Sequence, residues 1–147
     1  MAMGKPHDPL GGQDVIPLPW VAAMAPNGRS IATAGPLGGV QIRNFDTGRV
    51  VKTVGADRED EGVALSVTFS PDGKAVARVG KRGIVRAWDL KSGRILLDAR
   101  GSGQDIRSTA FFGNRLRVVS GGYRYIETKF EPIVIEEFKF DGIALGP

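Results

Sequence analysis

Few residues of this 147-residue chain are of types that could carry chemistry. There is one histidine, His7, and no cysteine. Serine–histidine catalysis needs an imidazole packed beside its nucleophile. His7 stands in Met1 to Gln13, a Gly- and Pro-containing stretch with no period, which reads as a flexible lead-in. The absence of cysteine removes disulfides, thiolate nucleophiles and Cys-based metal sites. A single histidine excludes His-rich metal sites. Carboxylates gather at Asp57, Glu59, Asp60 and Glu61, and at Glu136-Glu137. General acid–base work needs two carboxyls whose surroundings drive their pKa values apart. A solvated acidic run does not supply that, and adjacent strand residues point to opposite faces. A calcium loop starting at Asp57 would place Gly62 sixth, but its twelfth residue is Thr68 and not a bidentate Glu. The run reads as a solvated connector. Arg78, Lys81, Arg82 and Arg86 surround one turn, with Lys91 and Arg94 soon after. Such a cluster could meet phosphate; the simpler reading is charged turns and an outward strand face. Gly101-Ser102-Gly103 lacks the Gly-Lys-Ser/Thr ending of a phosphate loop. No enzyme activity, cofactor or metal is expected.

The elements that would hold these residues are short strands. Hydrophobic residues make up 41% of the chain, mean hydropathy is −0.10, and there are 21 glycines, many at turn positions. That balance is globular and turn-rich. Net charge is +4, from 20 Lys+Arg against 16 Asp+Glu, modest for a nucleic-acid binder, which concentrates its basic face. No apolar run reaches the roughly 18–20 residues of a membrane span. The start has no signal-peptide shape, so a cytoplasmic location is the default expectation.

The central stretch is SVTFSPDGKAVARVGKRGIVRAWDLKSG, Ser66 to Gly93. It predicts strands at Leu65 to Phe69, Ala75 to Val79 and Ile84 to Trp88, with Arg94 to Leu97 following. Asp72-Gly73 predicts a hairpin turn in which both residues take positive φ. Ile84, Val85, Ala87 and Trp88 are apolar with little alternation, which predicts a sheet buried on both faces. A second copy lies upstream. Pro26-Asn27-Gly28 matches Pro71-Asp72-Gly73, and Gly35, Val40 and Gly48 match Gly80, Val85 and Gly93, all at a gapless offset of 45. Its strands are predicted at Trp20 to Met24, Ser30 to Ala34, Val40 to Asn44 and Arg49 to Val54. Arg43 and Asn44 stand where the later copy has Trp88 and Asp89. A worn third unit follows. It predicts strands at Ile106 to Phe112, Leu116 to Ser120 and Tyr123 to Phe130, a turn at Gly121-Gly122, a break at Pro132, and a final strand from Ile133-Val134-Ile135 and Phe138 to Phe140. Asp14 to Pro19 reads as an edge strand or extended arm. No segment sustains a 3.6-residue period, so essentially no helix is expected.

The ordered set Phe69-Ser70-Pro71-Asp72-Gly73, Val85 to Asp89 and Ser92-Gly93, repeated at about 45 residues, resembles the WD-repeat β-propeller family. The resemblance implies an all-β fold of four-stranded antiparallel blades, with blades at 20–54 and 63–99, a degenerate one at 106–140, and 14–147 as a partial propeller. Many family members build a hydrogen-bonded tetrad around a Gly-His pair before the inner strand. No His precedes Val63 or Ile106, so here the resemblance implies Trp88 as apolar packing, Asp89 as a strand-end turn residue, and lower stability than a regular member. It also implies a non-catalytic scaffold that binds proteins through loops at one end, among them Asp57, Arg58, Glu59, Asp60, Lys81, Arg82 and Gln104. The alternatives are a sensor or accessory segment of a larger bacterial signalling enzyme, and a weak nucleic-acid-binding module. A closed propeller takes about four to eight blades. The expected partners are therefore other proteins, or further copies that complete the ring, with no membrane and with nucleic acid disfavoured.

Overall fold

The computed structural model describes residues 20–36, 38–56, 62–101, 103–124 and 129–139, with the side chains of 120–124 and 129–132 left aside. The first sheet is β1 (Val21–Met24), β2 (Ser30–Ala34), β3 (Val40–Asn44) and β4 (Val50–Val54), antiparallel and in chain order. The second repeats it with β5 (Ala64–Phe69), β6 (Ala75–Gly80), β7 (Ile84–Asp89) and β8 (Ile95–Arg100). The third has β9 (Ile106–Phe112), β10 (Arg115–Arg124) and β11 (Lys129–Lys139), in the order β11-β10-β9. The one helical piece among the described residues is a single 3₁₀ turn, Lys81–Gly83. None of their helices is long and apolar enough to cross a membrane.

The 45-residue period is written into the backbone. Gly28 N–H donates to the Ala25 carbonyl and Gly73 N–H to the Ser70 carbonyl, both at 2.9 Å. Gly48 N–H donates to Asn44 and Gly93 N–H to Asp89, at 2.9 and 2.8 Å. Asn44 Oδ1 then accepts from Asp46 and Thr47 N–H, as Asp89 Oδ1 accepts from Lys91 N–H. Asn44 thus does in the first sheet what Asp89 does in the second: a short acceptor caps the turn that ends the third strand.

The turn geometry corrects one expectation. Asn27-Gly28 and Asp72-Gly73 do not both take positive φ; only Gly28 (φ 70) and Gly73 (φ 73) do. Pro26 and Pro71 explain it, because proline locks φ near −65° at the second turn position and leaves the glycine to close the loop. The paired positive-φ turn lies instead at Arg82 (φ 62) and Gly83 (φ 75).

The three sheets stack on two apolar seams. Val40, Ile42 and Val54 of the first sheet meet Val67, Phe69, Val76 and Trp88 of the second. Ala77, Val79, Val85 and Ala87 on the opposite face meet Ile106, Leu116 and Val118 of the third. The second sheet is therefore buried on both faces, which is why β7 shows so little alternation. Each fully buried Val, Leu or Ile contributes about 1.5–3 kcal/mol of transfer free energy.

Two arginines expected on an outward strand face are both buried. Arg78 is 3% exposed and Arg86 5%. They are cross-strand partners on the face that carries Val76 and Trp88, so they point at the first sheet. Arg78 donates to the Gly39 carbonyl at 2.7 Å, to Gly35 at 3.3 Å, and to Gly62. Arg86 Nε meets Asp98 Oδ1 at 3.0 Å. Buried charge is tolerated because each guanidinium finds oxygen acceptors.

The far face of the first sheet carries a different set at the same period. Thr33, Gln41 and Arg43 stand 45 residues before Arg78, Arg86 and Trp88. Arg43 donates to Thr33 Oγ1 at 3.2 Å, Gln41 Oε1 at 2.6 Å and the Gly48 carbonyl at 3.0 Å. Among the described residues no other sheet packs on this face.

The third sheet departs from the expected layout. Gly121-Gly122 is no turn: it lies inside β10, where pairing with β11 slips between Ser120 and Gly122. Tyr123 to Phe130 is not one strand but the end of β10 and the start of β11. Pro132 does not break the chain, because β11 is an edge strand among the described residues and the proline sits opposite that slip, where a missing N–H is tolerated.

Candidate functional site

Three loops gather at one end of the stack. Arg78 ties the β2–β3 turn to Gly62 through the carbonyls of Gly35, Gly39 and Gly62. Ala64 N–H donates to the Gly35 carbonyl at 3.0 Å, and Lys81 N–H to Val63 at 3.1 Å. Gly101 N–H donates to the Gly83 carbonyl at 2.8 Å, which brings the next connector alongside. Gly83 must be glycine twice over: its φ is 75, and a Cβ would stand 3.0 Å from the Gly103 nitrogen.

Asp105 organises the exposed residues there. Its Oδ1 accepts the Arg82 N–H at 2.9 Å, and its Oδ2 meets Lys81 Nζ at 3.1 Å. Burial works against its charge, but the Arg82 N–H and the Lys81 ammonium outweigh that and hold the carboxyl below its ordinary value. The folded state thus binds this proton less readily than the unfolded chain. The stabilisation is complete above the unfolded pKa and drains away as pH falls through the folded value. Asp105→Asn is expected to cost about 1 kcal/mol at neutral pH, read from urea midpoints. The gap from the parent chain should close below roughly pH 4.

Of the sequence-predicted residues, Lys81, Arg82 and Gln104 come together at this end. Lys81 and Arg82 are exposed, and Gln104 is half-buried with an Oε1 that finds no donor among the described residues. Asp57, Arg58, Glu59 and Asp60 lie outside the described residues. The signature residues Pro26, Asn27, Gly28, Pro71, Asp72, Gly73 and Asp89 belong to turns at the opposite end, where a cleft of about 350 Å³ separates the first two hairpins. Trp88 is 1% exposed and sits in the first seam. Sequence reasoning does not single out Asp105, and it groups Arg78 with a basic cluster that could meet phosphate, not with a clamp between sheets. A signal for Arg78 exists all the same: it is one charge in the apolar run Ala75 to Gly80. Among the described residues no group of three His, Asp or Glu side chains could hold a metal. What the end offers is a fixed, basic, hydrogen-bonding rim.

No family model matches the sequence. Solved structures match the fold. "Structure of U3-55K" has a TM-score of 0.63 at 16% identity, over 85% of this chain and 41% of that one. "Crystal structure of RRP9 WD40 repeats" has a TM-score of 0.63 at 17% identity, over 85% and 40%. Kuenenia stuttgartiensis hydrazine synthase has a TM-score of 0.58 at 18% identity, over 74% and 33%. The chain therefore spans about two fifths of the first two and a third of the last. The all-β architecture is that of part of a WD40-type β-propeller.

Proposed function

We propose that this chain is a non-catalytic platform that holds other proteins on the loop end built by Lys81, Arg82 and Gln104, with Asp57, Arg58, Glu59 and Asp60 in the adjoining connector. One observation carries the reading. Arg82 is the only non-glycine with positive φ among the described residues, and it occupies a turn where glycine would cost less. Backbone strain of this kind, about 1–3 kcal/mol, persists where a side chain is needed in place. Asp105 and the Gly83–Gly101 bond supply the counter-force.

Arg82→Gly separates the two roles. Relief of the turn offsets the removal of an exposed side chain, so stability should stay within about 1 kcal/mol of the parent. Protein capture by the immobilised chain, quantified by mass spectrometry, should fall several-fold. A control at the opposite end, Lys91→Ala, should capture as the parent does. Equal capture by all three chains would remove the loop end as the binding surface.

A further inference from the structure

At the end of the stack opposite the Lys81–Arg82 rim, the hairpin turns of the first two sheets frame the cleft of about 350 Å³. That volume is at the low end for small-ligand pockets. Its floor is apolar, with Ala25, Ile42 and Phe69 buried and Leu90 partly so. Asn27, Ser30 and Asp72 supply the polar wall. Among the lining residues Asp72 alone carries a charge.

The two hairpins spend their polar groups differently. Asp72 Oδ1 is engaged within its own turn, accepting the Ser70 hydroxyl at 2.7 Å and the Lys74 N–H at 2.9 Å. Asp72 Oδ2 is shut off from water and finds no donor among the described residues. At the equivalent place in the first hairpin, Asn27 Oδ1 accepts the Arg29 N–H at 2.8 Å. The turn therefore needs a short acceptor and no charge. Ser30 adds a hydroxyl to the cleft wall where the second hairpin has Ala75. A buried carboxylate oxygen without a donor is costly and calls for a cause. The turn does not supply one, and the cleft beside it does.

We propose that this cleft binds an organic ammonium. The apolar body would lie against Ile42, Phe69 and Leu90, and the N–H donors would meet Asp72 Oδ2 and the Ser30 hydroxyl. A free amine and the lysine side chain of a partner segment share this chemistry. A neutral alcohol of the same shape keeps the apolar contacts but loses the charge-assisted bond. The site is separate from the Lys81–Arg82 rim, so either can fail without the other.

The test titrates phenethylamine into the full chain, ¹⁵N-labelled, and follows the amide signals. Saturable shifts are expected at Asn27 to Ser30 and at Gly73 and Lys74, which surround the cleft. Phenethyl alcohol should bind about tenfold more weakly, the share of one charge-assisted hydrogen bond. Asp72→Asn gives the second hairpin the residue that already serves the first. It should weaken the amine about tenfold and leave the alcohol unchanged. Ser30→Ala copies Ala75 and should weaken the amine about threefold. The blocked tripeptide Leu-Lys-Leu separates the two sources. Tighter binding than phenethylamine, lost in Asp72→Asn, assigns the cleft to a partner's lysine; weaker binding assigns it to a free amine. Equal affinity for amine and alcohol overturns the proposal. So does undiminished amine binding by Asp72→Asn, or a set of shifts confined to other parts of the chain.

Discussion

Arg78→Met is expected to cost about 3–5 kcal/mol, a large part of the 5–15 kcal/mol that holds a domain of this size together. Methionine fills much of the same volume, so the loss is in the polar interactions. Three carbonyls, of Gly35, Gly39 and Gly62, would lose their guanidinium donor inside the seam. Gly35 keeps the Ala64 N–H, so the loss falls on the others, and a buried acceptor left without a donor costs about 1–3 kcal/mol. Arg78→Lys should recover less than half, since one ammonium cannot reach acceptors spread across a turn and a connector. Urea unfolding gives the size of the effect. Its shape carries more: because the clamp joins sheets and not strands, the variant should unfold with a lower m-value or in two steps. A midpoint within about 1 kcal/mol of the parent would show that the guanidinium does not hold the sheets together.

Gly55→Ala should be nearly as severe, at about 3 kcal/mol. Gly55 has φ 69, which costs an L-residue roughly 1–2 kcal/mol. A Cβ there would also stand 2.5 Å from Trp88 Cζ2 and 2.8 Å from Cε2. The indole is fixed by the seam and cannot withdraw, so overpacking adds about 1–3 kcal/mol. Trp88→Leu alone would cost about 3 kcal/mol by opening a cavity. In the double variant the two losses should not add. The smaller side chain makes room for the new methyl, and only the backbone share of the glycine effect should remain. Strict additivity in thermal or urea unfolding would rule out the contact between Gly55 and the indole.

How much of this is legible in the sequence depends on what repeats. The strands of the first two sheets are readable because turn residues recur at a fixed offset, and each local signal is checked by its copy. The third sheet misleads where the copy fails. Gly121-Gly122 looks like a turn and Pro132 like a break only if every unit is assumed to have four strands. An edge strand with a slipped register accommodates both. The site is less legible. Lys81 and Arg82 stand out by charge and turn position, but Asp105 is 23 residues away from Arg82 and joins it only through the fold. Arg78 groups with its basic neighbours in the sequence because charge says nothing about facing. Its burial follows from register, two positions from Val76 on one strand and opposite Arg86 on the next.

The polar set on the first sheet closes that face on itself. At three equivalent positions, Thr33, Gln41 and Arg43 replace Arg78, Arg86 and Trp88. The second set reaches outward, into the carbonyls and apolar groups of a neighbour. The first folds back on its own sheet and leaves few donors unspent. At the other extremity Phe112, Val119, Ile133 and Ile135 stand exposed beside a network of their own, in which Arg115 and Arg117 both pair with Glu137 and the Arg117 guanidinium lies 4.6 Å over the Phe112 ring. Each outer face satisfies its own arginines and still leaves large apolar side chains exposed, Met24 and Val51 in the first sheet, Ile133 and Ile135 in the third. A designer adding a unit after the third sheet would have to dismantle the pairing of Arg115 and Arg117 with Glu137. Growth past the first would require rewriting Thr33, Gln41 and Arg43 before any new surface was made.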